Sequence, residues 1–122
     1  MISFVFDYAQ KSYNTKPDYP FKEDFETAVL RHSDTRKWYA IVMNVKKSVF
    51  SLGEGRVWVM NLKLDALSIG SFIQKNGIYP AYHMAKGSWV SVLLDGSVDK
   101  ETIALLIDIS YNLTQNKRRK TK

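Results

Sequence analysis

Residues 38–64, WYAIVMNVKKSVFSLGEGRVWVMNLKL, decide the fold. The first eight are rich in aromatic and branched residues, Asn44 being the one polar side chain, with no charge among them, so they predict a strand largely buried on both faces. Residues 46–56 set Lys46 and Lys47 beside Val49, Phe50 and Leu52 and then turn at Gly53-Glu54-Gly55, the composition of an extended hairpin connection. Residues 57–64 read as the returning strand. Asp65 follows directly as the cap of a helix carrying Leu67, Ile69, Phe72 and Ile73, which Asn76-Gly77 is expected to stop.

Upstream, Ile2, Val5, Phe6, Ala9 and Tyr13 recur at helical spacing, with Ser3 as the expected cap and Pro17 and Pro20 as the expected stop. Residues 18–24 are a polar connector, 27–32 a short strand and 33–37 a turn. Downstream, 79–84 reads as a short extended segment and 89–94 as a strand closed by Asp95-Gly96. A last helix over 98–114 is capped by Ser97, has Asp99 and Glu101 near its positive end, and carries Ile103, Leu106, Ile107, Ser110 and Leu113 on one stripe. The order α-β-β-β-α-β-β-α, with short turns between strands, predicts an α+β two-layer sandwich whose antiparallel sheet has helices on one face.

A chain of 122 residues with 45% apolar content fits one domain, residues 1–116, followed by a basic tail at 117–122 that has no apolar residue and is expected to be disordered. Without cysteine, disulfides, thiolate chemistry and cysteine-held metals are excluded, and His32 and His83 are too few for a histidine-rich metal centre. No metal and no cofactor is therefore expected. The longest stretch free of charge, residues 76–85, is about half of what a spanning helix needs. The first ten residues include Asp7 and have no basic residue before their apolar part, unlike a signal peptide, so a cytoplasmic location without a membrane partner is expected.

The net charge of +6 is unevenly spread. The tail holds five of the 18 basic residues and leaves a body of only +1. Within that body, residues 31–63 stand at +5, and the segments on either side at −2 each. Arg31, Arg36, Lys37, Lys46, Lys47 and Arg56 are accordingly the candidate nucleic-acid contacts, joined by Lys86.

Nothing in the sequence carries a catalytic signature. Gly53-Glu54-Gly55 lacks the third glycine and the strand-to-helix setting of a phosphate loop, no GxSxG elbow occurs, and no two histidines lie one helical turn apart. Asp95 and Asp99 read as a turn residue beside a helix start rather than as an acid–base pair. His32 and His83 are candidate general bases whose plainer reading is a locally hydrogen-bonded surface or sheet-edge histidine. Trp38, Trp58 and Trp89 read first as core fillers and second as stacking faces for bases.

Gly77-Ile78-Tyr79-Pro80-Ala81-Tyr82-His83-Met84-Ala85-Lys86-Gly87-Ser88-Trp89, running on through Val90 to Gly96, together with Leu105 to Leu113 downstream, resembles the bacterial MmcQ/YjbR family. Residues 13–21 (YNTKPDYPF), Leu30-Arg31-His32, Lys37-Trp38-Tyr39-Ala40 and Asn61-Leu62-Lys63 agree with it, so the likeness spans nearly all of the chain except the tail. The resemblance implies a two-layer fold like that of secretion chaperones and frataxin-like proteins, and DNA binding through a double-wing motif. Where many members read Asn-Lys-x-His-Trp, this chain has Ala85-Lys86-Gly87-Ser88-Trp89, keeping Lys86 and Trp89 and losing the asparagine and histidine.

The leading expectation is a non-enzymatic module that binds DNA through the basic strand-hairpin surface of residues 31–63. The alternative is a protein-interaction adaptor or chaperone-like protein that uses exposed aromatics such as Tyr39 and Phe50 to hold a protein partner.

Overall fold

The structure, a computed structural model, describes residues 1–73, 75–82 and 88–115. Its elements are α1 (Ile2–Tyr13), β1 (Ala28–Arg31), β2 (Trp38–Lys46), β3 (Arg56–Lys63), α2 (Ala66–Phe72), β4 (Ile78–Pro80), β5 (Trp89–Leu93) and α3 (Lys100–Thr114). This is the expected α+β order, with the strands in one sheet arranged β1-β2-β3-β5-β4 and every neighbouring pair antiparallel.

Successive side chains of a strand point to opposite faces, yet Tyr39, Ala40, Ile41 and Val42 of β2 are all buried. The sheet is therefore covered on both sides. On one side the register aligns Val42, Met60, Val92 and Ile78 across four strands. That row joins Val5 and Ala9 of α1 and Ile103, Leu106 and Ile107 of α3 in the main apolar core, with Ile69 and Phe72 of α2 packed against it.

The opposite side carries a smaller cluster of Val45, Val57, Val59 and Leu93, packed by Met43, Phe50, Tyr79 and Tyr82. Among the described residues, the cover there is a short 3-10 turn at Lys47–Phe50 and residues 81–82 after β4. Buried Asn61 and Ser91 clip that segment down: the Asn61 amide donates to the Tyr82 carbonyl (2.8 Å), the Tyr82 N–H donates to Ser91 Oγ (3.0 Å), and the Ser91 hydroxyl donates to Asn61 Oδ1 (2.5 Å). Each buried polar atom is thereby satisfied inside an apolar layer.

Several boundaries differ from the sequence reading for physical reasons. Met1, not Ser3, precedes α1, and the helix ends at Asn14 in a left-handed cap (φ 54°) before either proline is reached. Residues 47–50, expected as extended, coil into the 3-10 turn because Phe50 must fold back onto Tyr79 and Tyr82. The Asp65 cap is present, with Oδ1 accepting from the Ser68 N–H at 2.8 Å, but α2 stops at Phe72, short of Asn76-Gly77. Asp99 rather than Ser97 starts α3, and β4 ends at Pro80. The expected tail, 117–122, together with His83 and Lys86, lies outside the described residues.

His32, expected as a surface or sheet-edge histidine, does follow the edge strand β1 but is buried, at 1% exposed. Its ring lies 4.2 Å from that of Tyr111 and edge-on to Tyr39 at 5.3 Å, and Tyr111 in turn stacks on Tyr13 at 3.7 Å. Tyr39, expected as an exposed docking aromatic, is fully buried and donates its hydroxyl to Thr15 at 2.7 Å. The Thr114 hydroxyl donates to the Ser110 carbonyl, so its oxygen accepts the His32 Nε2 proton at 2.7 Å. Beyond this cluster, Tyr8 and Tyr13 both donate to the Asp108 carboxylate (2.9 and 2.5 Å), tying α1 to α3. Burial, reinforced by the facing Asp108 charge, raises the pKa of both tyrosines, and burial pushes Tyr39 up to about 12, so all three stay neutral donors.

Two outcomes follow from this packing. Gly77 has φ 92°, and a Cβ there would sit 2.6 Å from Ser97 Oγ and 2.7 Å from Val98 Cγ2, so Gly77→Ala should cost at least about 2 kcal/mol in urea denaturation. An unchanged midpoint would contradict this geometry. Burial, helped by the Lys37 charge and opposed by Asp34, lowers the His32 pKa. The unfolded chain then binds a proton that the folded one refuses, and stability should fall as pH drops below about 6.5, by at most about 1.4 kcal/mol per pH unit. Asp24, Asp65, Asp95 and Asp99, all lowered by hydrogen bonds that outweigh burial at each, lose their contributions only as pH falls below the ordinary carboxylate range, a separate window. Denaturation at pH 7 and pH 5 should show a loss in the wild type that His32→Gln removes.

Candidate nucleic-acid interface

β2 begins at the β1–β2 turn and ends at the β2–β3 hairpin, so its nine residues hold the two ends about 26 Å apart. The candidate basic residues divide between those ends. Arg31, Arg36 and Lys37 gather at the turn; Lys46, Lys47 and Arg56 gather at the hairpin. A single patch through 31–63 does not form, because the intervening strand is buried on both faces.

At the turn, Arg31 is half-buried and organised on three sides. Its Nε lies 2.8 Å from Asp18 Oδ2, its Nη1 donates to the Arg36 carbonyl at 3.2 Å, and its guanidinium sits 5.6 Å from the Trp38 ring centroid. Arg36 is exposed and takes a left-handed backbone, φ 66°, a conformation that closes the turn through its N–H to the His32 carbonyl at 3.0 Å. A cleft of about 220 Å³ opens here between Lys16, Arg31 and Arg36, with Asp18, already paired to Arg31, on its wall. Exposed Lys37 completes the group. Among the described residues, the Arg31–Asp18 pair is the only salt bridge, so Lys16, Arg36 and Lys37 have no carboxylate within bonding distance.

This turn also adjoins the end of α3, since His32, the residue directly after β1, is hydrogen-bonded to Thr114. The sequence beyond Gln115 includes the five basic residues of 117–122.

At the hairpin, Lys46 and Arg56 face each other directly across β2 and β3, a like-charge pairing that raises the local potential. Arg56 is held in place by Asn44, to which Nε and Nη2 donate at 2.8 Å each. Two clefts flank the pair. One, about 330 Å³, is walled by Gly53, Glu54 and Gly55; the other, about 380 Å³, by Asp24, Val49 and Tyr82. Lys47 is more compensated: it is half-buried and lines a cleft with Asp95. Partial burial opposes ionisation of Asp95, but the Ser97 hydroxyl and N–H and the Lys47 charge prevail and hold its carboxyl low.

Sequence reading missed Lys16 and the aromatics Tyr19, Phe21 and Phe25, which lie in or directly beside the 18–24 stretch read as a polar connector. Their signal was the interleaving of rings with charge in residues 16–25, KPDYPFKEDF. All three tryptophans are half-buried, and Trp58 packs against the main core. No group of three His, Asp or Glu side chains among the described residues is arranged to hold a metal ion.

The chain is similar to a set of proteins that share this architecture. It is 34% identical over 112 residues to the uncharacterized protein YyaQ of Bacillus subtilis, covering 91% of this chain and 95% of that one. A crystal structure of a Pseudomonas syringae protein matches with a TM-score of 0.88 and 45% identity, over 93% of this chain and 97% of that one. A solution NMR structure from the same organism matches at 0.84 and 44%, over 94% and 93%. A Deinococcus radiodurans crystal structure, 24% identical with a TM-score of 0.72 over 97% of this chain and 80% of that one, shares the fold. The YjbR family model matches residues 10–113, from the last turn of α1 to the last turn of α3, and the chain belongs to the YjbR family.

Proposed function

We propose that this protein is a non-enzymatic module that binds nucleic acid through its phosphates, with the β1–β2 turn as the principal contact and the hairpin pair Lys46 and Arg56 as a second. The observation that carries the reading is the set of cations at the turn, Lys16 and Arg36 around a cleft beside an already ordered Arg31 and exposed Lys37 in the same turn, of which only Arg31 is paired with a carboxylate among the described residues. Positive charge held in fixed groups on a domain body that is otherwise slightly acidic attracts a polyanion in a defined orientation. His32 supports the non-catalytic half of the proposal, since its ring is spent on Tyr111, Tyr39 and Thr114 rather than facing a cleft.

A second reading, a protein-binding adaptor, draws on Leu67 of α2, which is 89% exposed. An apolar side chain so open to water on a helix is a candidate contact for a partner protein.

Binding of fluorescein-labelled DNA, followed by anisotropy from low to moderate salt, separates these readings. The expected result is affinity that falls steeply with salt and a slope that declines by about one for each phosphate contact removed. Arg36→Gly is the informative variant, because glycine suits the left-handed backbone and the charge is lost without strain. It should weaken binding while leaving the denaturation midpoint unchanged or raised. Removal of residues 117–122 should weaken binding further. Absence of binding at low salt, or binding indifferent to Arg36→Gly and to Lys46→Glu with Arg56→Glu, would refute the proposal.

A further inference from the structure

Residues 18–27 link α1 to β1, and the loop is pinned at both ends rather than hanging free. Asp18 exchanges two backbone hydrogen bonds with Val29 (2.8 and 3.0 Å) and its carboxylate holds Arg31. Phe21 packs edge-on against Trp38 at 6.0 Å, at the turn end of β2. The chain then turns, with the Asp24 N–H donating to the Phe21 carbonyl at 3.2 Å. Asp24 collects the Glu26 and Thr27 N–H groups at 3.0 Å each and the Thr27 hydroxyl at 2.5 Å, and it lines the same cleft as Lys46 and Arg56. The loop thus runs from one basic cluster towards the other.

Along this path three rings stand open to water: Tyr19 at 48%, Phe21 at 39% and Phe25 at 81%. Lys22 lies between them in sequence and is exposed, as are Glu23, Asp24 and Glu26, so cations for phosphates stand at the two ends of the loop and not along it. Aromatic faces held in a fixed loop between two groups of cations match the backbone-and-base pattern of an unpaired strand. A duplex keeps its base faces stacked on one another and has none to offer these rings, whereas a single strand presents both phosphates and free faces.

We infer that the ligand is single-stranded nucleic acid, with phosphates engaged at the β1–β2 turn and at Lys46 and Arg56, and bases stacked on Tyr19, Phe21 and Phe25. This rests on the nucleic-acid reading above and names the form of the ligand. The span of about 26 Å between the clusters suits a site of a few nucleotides, at the short end of the range of about 4–16 known for stacking platforms.

Three labelled probes of equal length test it at one salt concentration: a 12-nucleotide oligothymidine, the same backbone without bases, and a 12-base-pair duplex. The oligothymidine should bind at least about tenfold more tightly than either the abasic backbone or the duplex, and a duplex bound as tightly as the oligothymidine overturns the single-strand inference. Phe25→Ala and Tyr19→Ala, both at exposed positions, should each weaken oligothymidine about tenfold and leave the abasic probe unaffected. Equal binding of oligothymidine and abasic backbone, or equal losses for both in the variants, overturns the stacking inference while the phosphate reading stands. Binding of none of the three overturns both.

Discussion

A strand buried on both faces needs cover on both, and in this fold only one face of the sheet receives the long helices. That constraint on β2 governs the rest of the molecule. α1 and α3 close the first side with Val5, Ala9, Ile103, Leu106 and Ile107. The second side must be closed by segments too short to be helices of several turns. The Lys47–Phe50 turn lays Phe50 over Tyr79 and Tyr82, Asn61 and Ser91 clip down the chain after β4, and Phe21 of the first connector reaches Trp38. Cover of this kind is thin, so the loops that provide it bury one part of their apolar surface and expose another.

The functional proposal grows from that compromise. A connector needed for cover carries Tyr19 and Phe21 partly, and Phe25 mostly, in water, and its anchors at Asp18 and Asp24 lie beside the two groups of basic residues. At each end one arginine is held by neighbouring acceptors: Arg31 by Asp18 and the Arg36 carbonyl, Arg56 by Asn44. Cations fixed in this way lose less conformational freedom when a phosphate arrives than freely rotating lysines do. The exposed lysines Lys16, Lys37 and Lys46 add charge around these fixed points.

Much of the fold was legible because it follows from local rules. The uncharged run in 38–45, the Asp65 cap and the turn at Asp95-Gly96 each depend on residues near in sequence, and the element order followed from them. Less legible were features set by partners far along the chain. His32 is buried because Tyr111 and Thr114, some eighty positions later, close over it, and Tyr39 is buried because α1 and α3 meet above it. The charge window in 31–63 was visible as a sum, but its division into two ends about 26 Å apart requires knowing that β2 runs unbroken between them. The connector read as polar because its charges outnumber its rings; only the anchoring of Asp18 and Asp24 reveals where those rings stand.

The most direct measurement is amide chemical-shift mapping of the isotopically labelled protein titrated with a short oligothymidine. The account predicts saturable shifts concentrated in residues 16–27, at Arg31 and 36–38, and at Lys46 and Arg56, with the exposed surfaces of α2 and α3 left unmoved. Shifts confined to those helices, or no shifts at low salt, would contradict it.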